Sequence, residues 1–282
     1  MSSLHQSFAV VGGGKLGMPI VKGLSAQGAT VVLLSRSGLD DTKLETLPAK
    51  VSVAKVDTAD SAAVAAIFEQ HKVDVVVSTI SSGAVGAQTV LVDAAKSAGV
   101  RLFVPSEFGM STEGDVNNPK NKIIAYTESV GVPYARFFNG MITEFLPMLI
   151  GVKEHGKVRI VGKGDAPVSF TSIVDVTGFV AYVLTSLAPS ELENRTFRIE
   201  GDRATMNELG GIFNTEVEHV DEISGPMGGF ATMMLRIVDT GVGSTGWDAE
   251  KKAEKTGSEA AGSANGLWPG HHWKSIKEVH NL

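Results

Sequence analysis

Short apolar, β-branched runs alternate with longer stretches of helical periodicity through the first half of the chain. The runs Phe8–Val11, Thr30–Leu34, Val51–Val56, Val73–Ser78, Leu102–Pro105 and Tyr134–Phe138 predict strands, and the helical pattern falls near 16–27, 60–70, 86–98 and 119–130. Continuous apolar runs belong to strands buried on both faces, as in a parallel sheet covered by helices. With right-handed crossovers this predicts an α/β fold with a doubly wound parallel sheet, the Rossmann arrangement. From about Asn139 the alternation lapses. Val158–Val161, Val168–Thr171 and Thr196–Glu200 read there as short strands, and 174–187, 204–213 and 226–238 as helices. The expected division is a main domain over 1–140 and a smaller C-terminal lobe over 141–282, part of which returns to the main domain. The Gly-, Ser- and Ala-rich stretch Lys255–Asn265 reads as a mobile loop.

Composition narrows the class. The chain has 282 residues, 43% of them hydrophobic and 20% charged, enough to bury a sizeable core. A formal net charge of -6 without a basic run argues against nucleic acid, whose phosphates need clustered Lys and Arg. No cysteine is present, so disulfides, thiolate metal ligands and thiol nucleophiles are excluded. The apolar runs have strand length and fall short of the ~20 residues that cross a bilayer. The sequence Met1-Ser2-Ser3-Leu4-His5-Gln6 has no basic start of a secretory signal. A cytoplasmic protein, outside the membrane, is the expectation.

Gly12-Gly13-Gly14-Lys15-Leu16-Gly17 satisfies G-x-G-x-x-G between a predicted strand and an amphipathic helix, the context that gives this pattern meaning. Gly12 serves the tight turn, Gly14 leaves room for a pyrophosphate, and Gly17 lets the helix approach the strand. The anion then sits on the helix N-terminus, among free N–H groups and the positive end of the dipole, with Lys15 and Leu16 beside it. The bland alternative is a glycine-rich turn that binds nothing. The second strand points to the nucleotide. An acid usually stands about 20 residues on where NAD is bound, but here the strand ends in Ser35-Arg36-Ser37, with no acid before Asp40. Arg36 can clamp a 2′-phosphate and stack on adenine, with Ser35 donating a hydrogen bond. NADPH is therefore the expected cofactor. Thr79-Ile80-Ser81, small and mostly polar, suits a strand end beneath a cofactor. Asp57 can accept from an adenine amino group, or be a turn residue or helix cap.

The chemistry narrows to a lysine. The tyrosine that precedes a lysine by four residues in short-chain dehydrogenases has no counterpart: Tyr126, Tyr134 and Tyr182 are followed at that spacing by Val130, Phe138 and Ser186. Lys120 follows Pro119 and shares a helical face with Ile123, Ile124 and Thr127, while Lys122 lies on another face. A cation in a helix's first turn is electrostatically unfavourable, a cost that either holding a cofactor ribose hydroxyl or transferring a proton would explain, so Lys120 is expected among the cofactor contacts as well as in catalysis. A desolvated lysine there is expected to have a lowered pKa, suited to proton transfer. The bland alternative is a solvated lysine at a frayed helix start.

Several stretches resemble the NmrA-like, isoflavone-reductase-like group of atypical short-chain dehydrogenases. They are Gly12–Gly17; Val104-Pro105-Ser106-Glu107-Phe108-Gly109-Met110; Lys120 with Gly131-Val132-Pro133-Tyr134; and Gly162-Lys163-Gly164 through Phe170-Thr171 to Asp175-Val176. More loosely, Leu267-Trp268-Pro269 and Ile276-Lys277-Glu278-Val279 resemble the family's ending. The resemblance implies NADPH-dependent reduction of an aromatic, often phenylpropanoid-derived, substrate. It places Lys120 on the family's catalytic lysine, Arg36 on its 2′-phosphate arginine and Phe108 near its nicotinamide. Residues 1–140 then read as the NADP-binding domain, with Ser106 and Asn139 as further cofactor contacts, and 141–282 as a substrate-side lobe. Phe108, Met141 and Phe145 are the expected substrate contacts, although such residues are more often plain core. The family lysine usually follows an aromatic-Glu-x segment, and here Val116-Asn117-Asn118-Pro119 stands instead. The family also includes regulators that bind NADP(H) without turning it over, so a redox sensor acting through a protein partner is the competing reading. His155, His271 and His272 are candidate polar groups. His271 and His272 lack the i, i+4 spacing of a helical metal pair, so no metal is expected. Asp175, Asp221 and Glu222 read as caps or surface acids, and the expected assembly is a monomer or homodimer.

Overall fold

The structure, a computed structural model, describes residues 3–39 and 44–282. The chain forms two compact units that interleave along the sequence. The first comprises Met1–Glu107, Asp115–Arg136 and Thr177–Thr196, and the second Phe108–Gly114, Phe137–Val176 and Phe197–Leu282.

The first unit holds β1 (Ser7–Val11), α1 (Gly17–Ala26), β2 (Thr30–Ser35), β3 (Val51–Lys55), α2 (Ser61–Gln70), β4 (Val75–Ser78), α3 (Gln88–Ser97), β5 (Leu102–Val104) and α4 (Pro119–Ser129). Each lies within two residues of its expected bounds at either end, the scatter usual for element ends. The sheet order is β3-β2-β1-β4-β5, with every pairing parallel. The doubly wound parallel sheet is therefore present, and its order reverses between β1 and β4. Ligands of such sheets bind outside the carboxyl ends of the strands at that reversal.

Both faces of the sheet are buried. Ala9, Val11, Val32, Leu34, Val76 and Phe103 pack with Val64 and Phe68 of α2, Leu91 and Val92 of α3 and Ile123 of α4. The alternate residues Phe8, Val10, Val31, Leu33, Val75 and Val77 are equally inaccessible, as are Ile20, Val21 and Leu24 of α1. On that side α1 meets α5 (Ile173–Ser186) so closely that a Cβ on Gly23 would lie 2.9 Å from the Ala181 methyl. Each such apolar side chain contributes ~1.5–3 kcal/mol when fully buried. The helix starts are fixed locally. Asp60 accepts from the Ala63 N–H at 3.0 Å, and Asn118 accepts from the Lys120 N–H at 3.0 Å with Pro119 in the first turn.

The second unit is built on smaller sheets. β7 (Met141–Ile142), β9 (Pro167–Thr171) and β11 (Asp202–Thr205) form one, in the order β11-β9-β7, and β8 (Val158–Ile160) pairs in parallel with β12 (Val217–His219). Helix α6 (Gly228–Ile237) covers a core that includes Leu146, Ile160, Phe170, Leu209 and Leu235. Three expectations change here. The helix expected over 204–213 is instead strand β11 followed by a short helix, Leu209–Ile212. Thr205 and Glu208 cap one another, the Glu208 carboxylate accepting from the Thr205 N–H at 2.7 Å, which places the cap at Thr205, where β11 ends, and leaves no helix before it. β12 went unpredicted because Val217-Glu218-His219 has too few apolar residues to form a strand without β8. The expected mobile loop Lys255–Asn265 is fastened: Lys255 pairs with Glu113 at 2.8 Å, the Ala264 N–H donates to the Arg198 carbonyl, and the Asn265 side chain bridges both backbone groups of Glu200.

The chain closes on α7 (Ile276–His280), begun by a reciprocal cap between Ser275 and Glu278. Hydrogen bonds from the Ser275 N–H, His272 and the Ser275 hydroxyl hold the Glu278 carboxyl down to about 2. A carboxylate with a depressed folded pKa stabilises above its unfolded value and loses that contribution as pH falls towards the folded one. NMR should therefore show α7 fraying as pH drops from 4.5 towards about 2, and Ser275→Ala should fray it already at neutral pH.

Candidate active site

The turn between β1 and α1 is tied to the end of β4. Gly12 adopts φ +105°, and a Cβ there would meet Thr79 atoms at 3.0–3.1 Å. The Thr79 N–H donates to the Val11 carbonyl and its hydroxyl reaches the Gly12 carbonyl at 2.8 Å. A Cβ on Gly17 would lie 1.9 Å from the Gly12 carbonyl oxygen, so only glycine permits this crossing of helix and strand. Gly14 is exposed and has nothing within 4 Å of a built Cβ. Lys15 is exposed and Leu16, the N-cap residue, half-buried. Among the described residues no side chain caps α1, and its first turn holds no acid. Open space beside Gly14 and uncapped N–H groups together fit the diphosphate of a dinucleotide.

Arg36 stands exposed at the end of β2. The Ser35 hydroxyl donates to the Gly38 carbonyl at 2.9 Å, which shapes the turn. Asp57, exposed beyond β3, accepts from the Ala59 N–H at 3.0 Å, so a turn role accounts for its carboxylate in this structure; helix capping falls to Asp60. Thr79 and Ile80 are half-buried and Ser81 is exposed, followed by a 3₁₀ turn over Ser82–Ala87. The Ser106 hydroxyl donates to the Ile80 carbonyl and its N–H to the Gln88 side chain, both at 2.8 Å, which fixes the end of β5 against that of β4.

Lys120 is half-buried, on the α4 face of the buried Ile123, Ile124 and Thr127, whereas Lys122 is exposed. Burial pushes its pKa below that of an ordinary lysine; the Glu107 carboxylate opposes the fall and the Arg136 guanidinium adds to it. Glu107 and Arg136 form an ion pair whose side chains are only 1% and 8% exposed. Arg136 also donates to the Asn121 side-chain oxygen at 2.8 Å. Sequence reasoning missed Glu107, Asn121 and Arg136 as site residues. The signal was present, because an arginine inside an otherwise apolar strand must be buried with a partner.

In the second unit Phe108 stacks on Phe137 at 6.1 Å, and Phe137 on Phe197 at 5.1 Å. Asn139 is fully buried: its N–H donates to Gly109, its carbonyl accepts from Thr171, and its side-chain oxygen has no partner among the described residues. Met141 lies in the apolar core with Leu146 and Phe170, and Phe145 is half-buried. Asp175 is no surface acid. It is fully buried, accepting from Ser172, from the Lys274 N–H and from His271 at 2.8 Å, while His271 stacks on Trp268 at 3.6 Å. Asp221 and Glu222 are exposed. His155 lies 3.4 Å from the Ser224 hydroxyl, and His272 contacts Glu278 at 2.7 Å.

Sheet order, switch point and glycine turn define a Rossmann-type protein. Residues 5–233 match the sequence profile of the NmrA-like family, and the chain belongs to it. It is 28% identical over 205 residues to a probable pinoresinol-lariciresinol reductase of Arabidopsis thaliana, a match covering 67% of this chain and 65% of that protein, just under two thirds of its length. It is 31% identical over 232 residues to an isoflavone reductase homolog of Zea mays, covering 74% of each. The fold matches leucoanthocyanidin reductase of Vitis vinifera, solved as a binary complex with NADPH, with a TM-score of 0.77, 20% identity and 98% of both chains covered.

Two alanine substitutions should separate architecture from recognition. Gly17→Ala forces a Cβ against backbone and should cost at least the ~1–3 kcal/mol of an overpacked core, read as a lowered melting temperature. Gly14→Ala fills open space and should leave stability within about 0.5 kcal/mol while weakening nucleotide binding.

Proposed function

We propose that the chain is a cytoplasmic, NADPH-dependent reductase of a small aromatic substrate of phenylpropanoid or isoflavonoid type. The observation that carries this reading is the burial of Lys120 with a lowered pKa beside the Glu107–Arg136 pair, in the same unit as the glycine turn. The names of its relatives, a pinoresinol-lariciresinol reductase and an isoflavone reductase homolog, support the substrate class. In this reading the Gly12–Gly17 turn and the start of α1 hold the diphosphate and Arg36 the 2′-phosphate. Thr79, Ile80, Ser81 and Ser106 line the strand ends, with Asp57 at the adenine. Asn139, with its buried side-chain oxygen, and Phe108 serve the nicotinamide end. Phe108 and Phe145 give aromatic surface to the substrate, with Met141 behind them.

The bound cofactor supplies a hydride. The chain's own contribution is the proton: as hydride reaches one atom of the double bond or carbonyl, the atom that gains negative charge takes a proton from the Lys120 ammonium. A lysine poised nearer neutrality transfers that proton more readily than a solvated one, an effect of ~10²–10⁴ in rate for a well-placed acid.

Fluorescence titration with NADPH and NADH, followed by turnover on an aromatic substrate panel, tests the reading. Arg36→Ala should weaken NADPH by about 10–100-fold, the ~1.5–3 kcal/mol of a charge-assisted bond, and leave NADH nearly unchanged. Equal losses for the two nucleotides would remove the 2′-phosphate assignment. Lys120→Ala should fold, bind NADPH within several-fold and lose ~10²–10⁴ in turnover. Tight binding with no turnover on any panel member would favour the redox sensor.

A further inference from the structure

Three charged groups from three elements act on one another in the first unit: Lys120 from the first turn of α4, Glu107 beyond β5 and Arg136 in β6 (Ala135–Phe138). Glu107 is the natural counter-ion for a desolvated lysine, yet its carboxylate is in direct contact with the Arg136 Nε. Arg136 is itself held in place, since its guanidinium also donates to Asn121 at 2.8 Å, one residue beyond Lys120. Asn121 is anchored in turn by donating to the Asp115 carbonyl at 2.7 Å. An ammonium beside a closed ion pair experiences a dipole rather than a lone charge, and the attraction falls accordingly.

Other charged groups around α4 are engaged elsewhere. On α3, Asp93 takes the Tyr126 hydroxyl and Lys96 lies against Gly131, at the far end of α4. The 3₁₀ turn Ser82–Ala87, which packs on α4, carries no titratable residue. On α4 itself Lys122 is exposed and Glu128 accepts from Tyr134.

We propose that Arg136 and Glu107 are positioning residues for Lys120: by holding the buried carboxylate, Arg136 offsets its pull on the lysine's charged form and so helps leave Lys120 free to exchange a proton. The proposal rests on the proton-transfer reading of Lys120. It makes the two members of one ion pair act on the lysine in opposite directions. Losing Arg136 exposes Lys120 to an uncompensated carboxylate, which favours the charged form, whereas losing the Glu107 charge leaves only a cation, which disfavours it.

The test measures Lys120 directly. Brief acetylation with acetic anhydride across a pH series, read by mass spectrometry of the peptide carrying Lys120 and Lys122, gives the titration midpoint of each lysine without any need for turnover. Arg136→Gln should raise the Lys120 midpoint by ~1 unit, cutting the neutral amine about tenfold at a fixed lower pH, and Glu107→Gln should lower it by a similar amount. Lys122 should not move. Shifts in the same direction, or none, in variants that remain folded by circular dichroism would overturn the proposal. Should Arg136→Gln fail to fold, Glu107→Gln decides alone, because its amide oxygen still accepts from Arg136. No downward shift there would sink it. The pH profile of kcat should follow the titration while the KM for NADPH stays constant. Midpoints that move as expected while kcat ignores them would uphold the electrostatic coupling and discard Lys120 as the proton donor.

Discussion

The contact between Gly17 and the Gly12 carbonyl sets the geometry on which the rest of the first unit depends. With no Cβ between them, α1 starts almost against the turn that ends β1, and the Thr79 hydroxyl bonds that turn to the neighbouring strand end. The dipole of α1 is thereby aimed at the point where the strand order reverses, and the N–H groups of the helix start are left for an anion rather than a side chain. Moving the helix outward by the width of a methyl group would disturb that alignment and loosen Ile20, Val21 and Leu24 from the sheet.

The first unit was legible because its signals are local and repeated. Strands buried on both faces appear as unbroken apolar runs, and the helices between them keep one apolar stripe. The second unit was less legible, for physical reasons visible at particular residues. β11 and β12 are three or four residues long, and β11 pairs only with β9 and β12 only with β8. The Thr205–Glu208 cap was readable in the sequence, yet the apolar Ala204, Met206 and Leu209 also fit a helix and masked it. Glycine and serine content suggested mobility for Lys255–Asn265, but composition does not report the Glu113 and Glu200 contacts that hold it, which come from residues far off in sequence.

The candidate site divides in the same way. The glycine turn, Arg36 and Lys120 could be named from spacing alone. Glu107 and Arg136 could not be assigned to one another, because pairing across strands is a tertiary fact. Asp175 looked like an ordinary helix cap, but the cap is Ser172, whose hydroxyl accepts from the Asp175 N–H; the Asp175 carboxylate is committed to the backbone of Lys274 and to His271 and so ties down the C-terminal segment. Asp57 has a local role beside the proposed one, since one of its carboxylate oxygens accepts from the Ala59 N–H.

The exposure of Arg36 has a consequence for how such a protein can change. In the glycine turn the main chain sets what is tolerated: a Cβ at Gly17 would meet backbone at 1.9 Å, whereas one at Gly14 has open space. The arginine at the carboxyl end of β2 is exposed and is no part of the core, while Val32 and Leu34 on the same strand bear the packing. On the proposed assignment of Arg36 to the 2′-phosphate, selection acting on that one side chain would redirect nucleotide preference without crossing a stability threshold, so preference would drift among descendants while the scaffold stays constant.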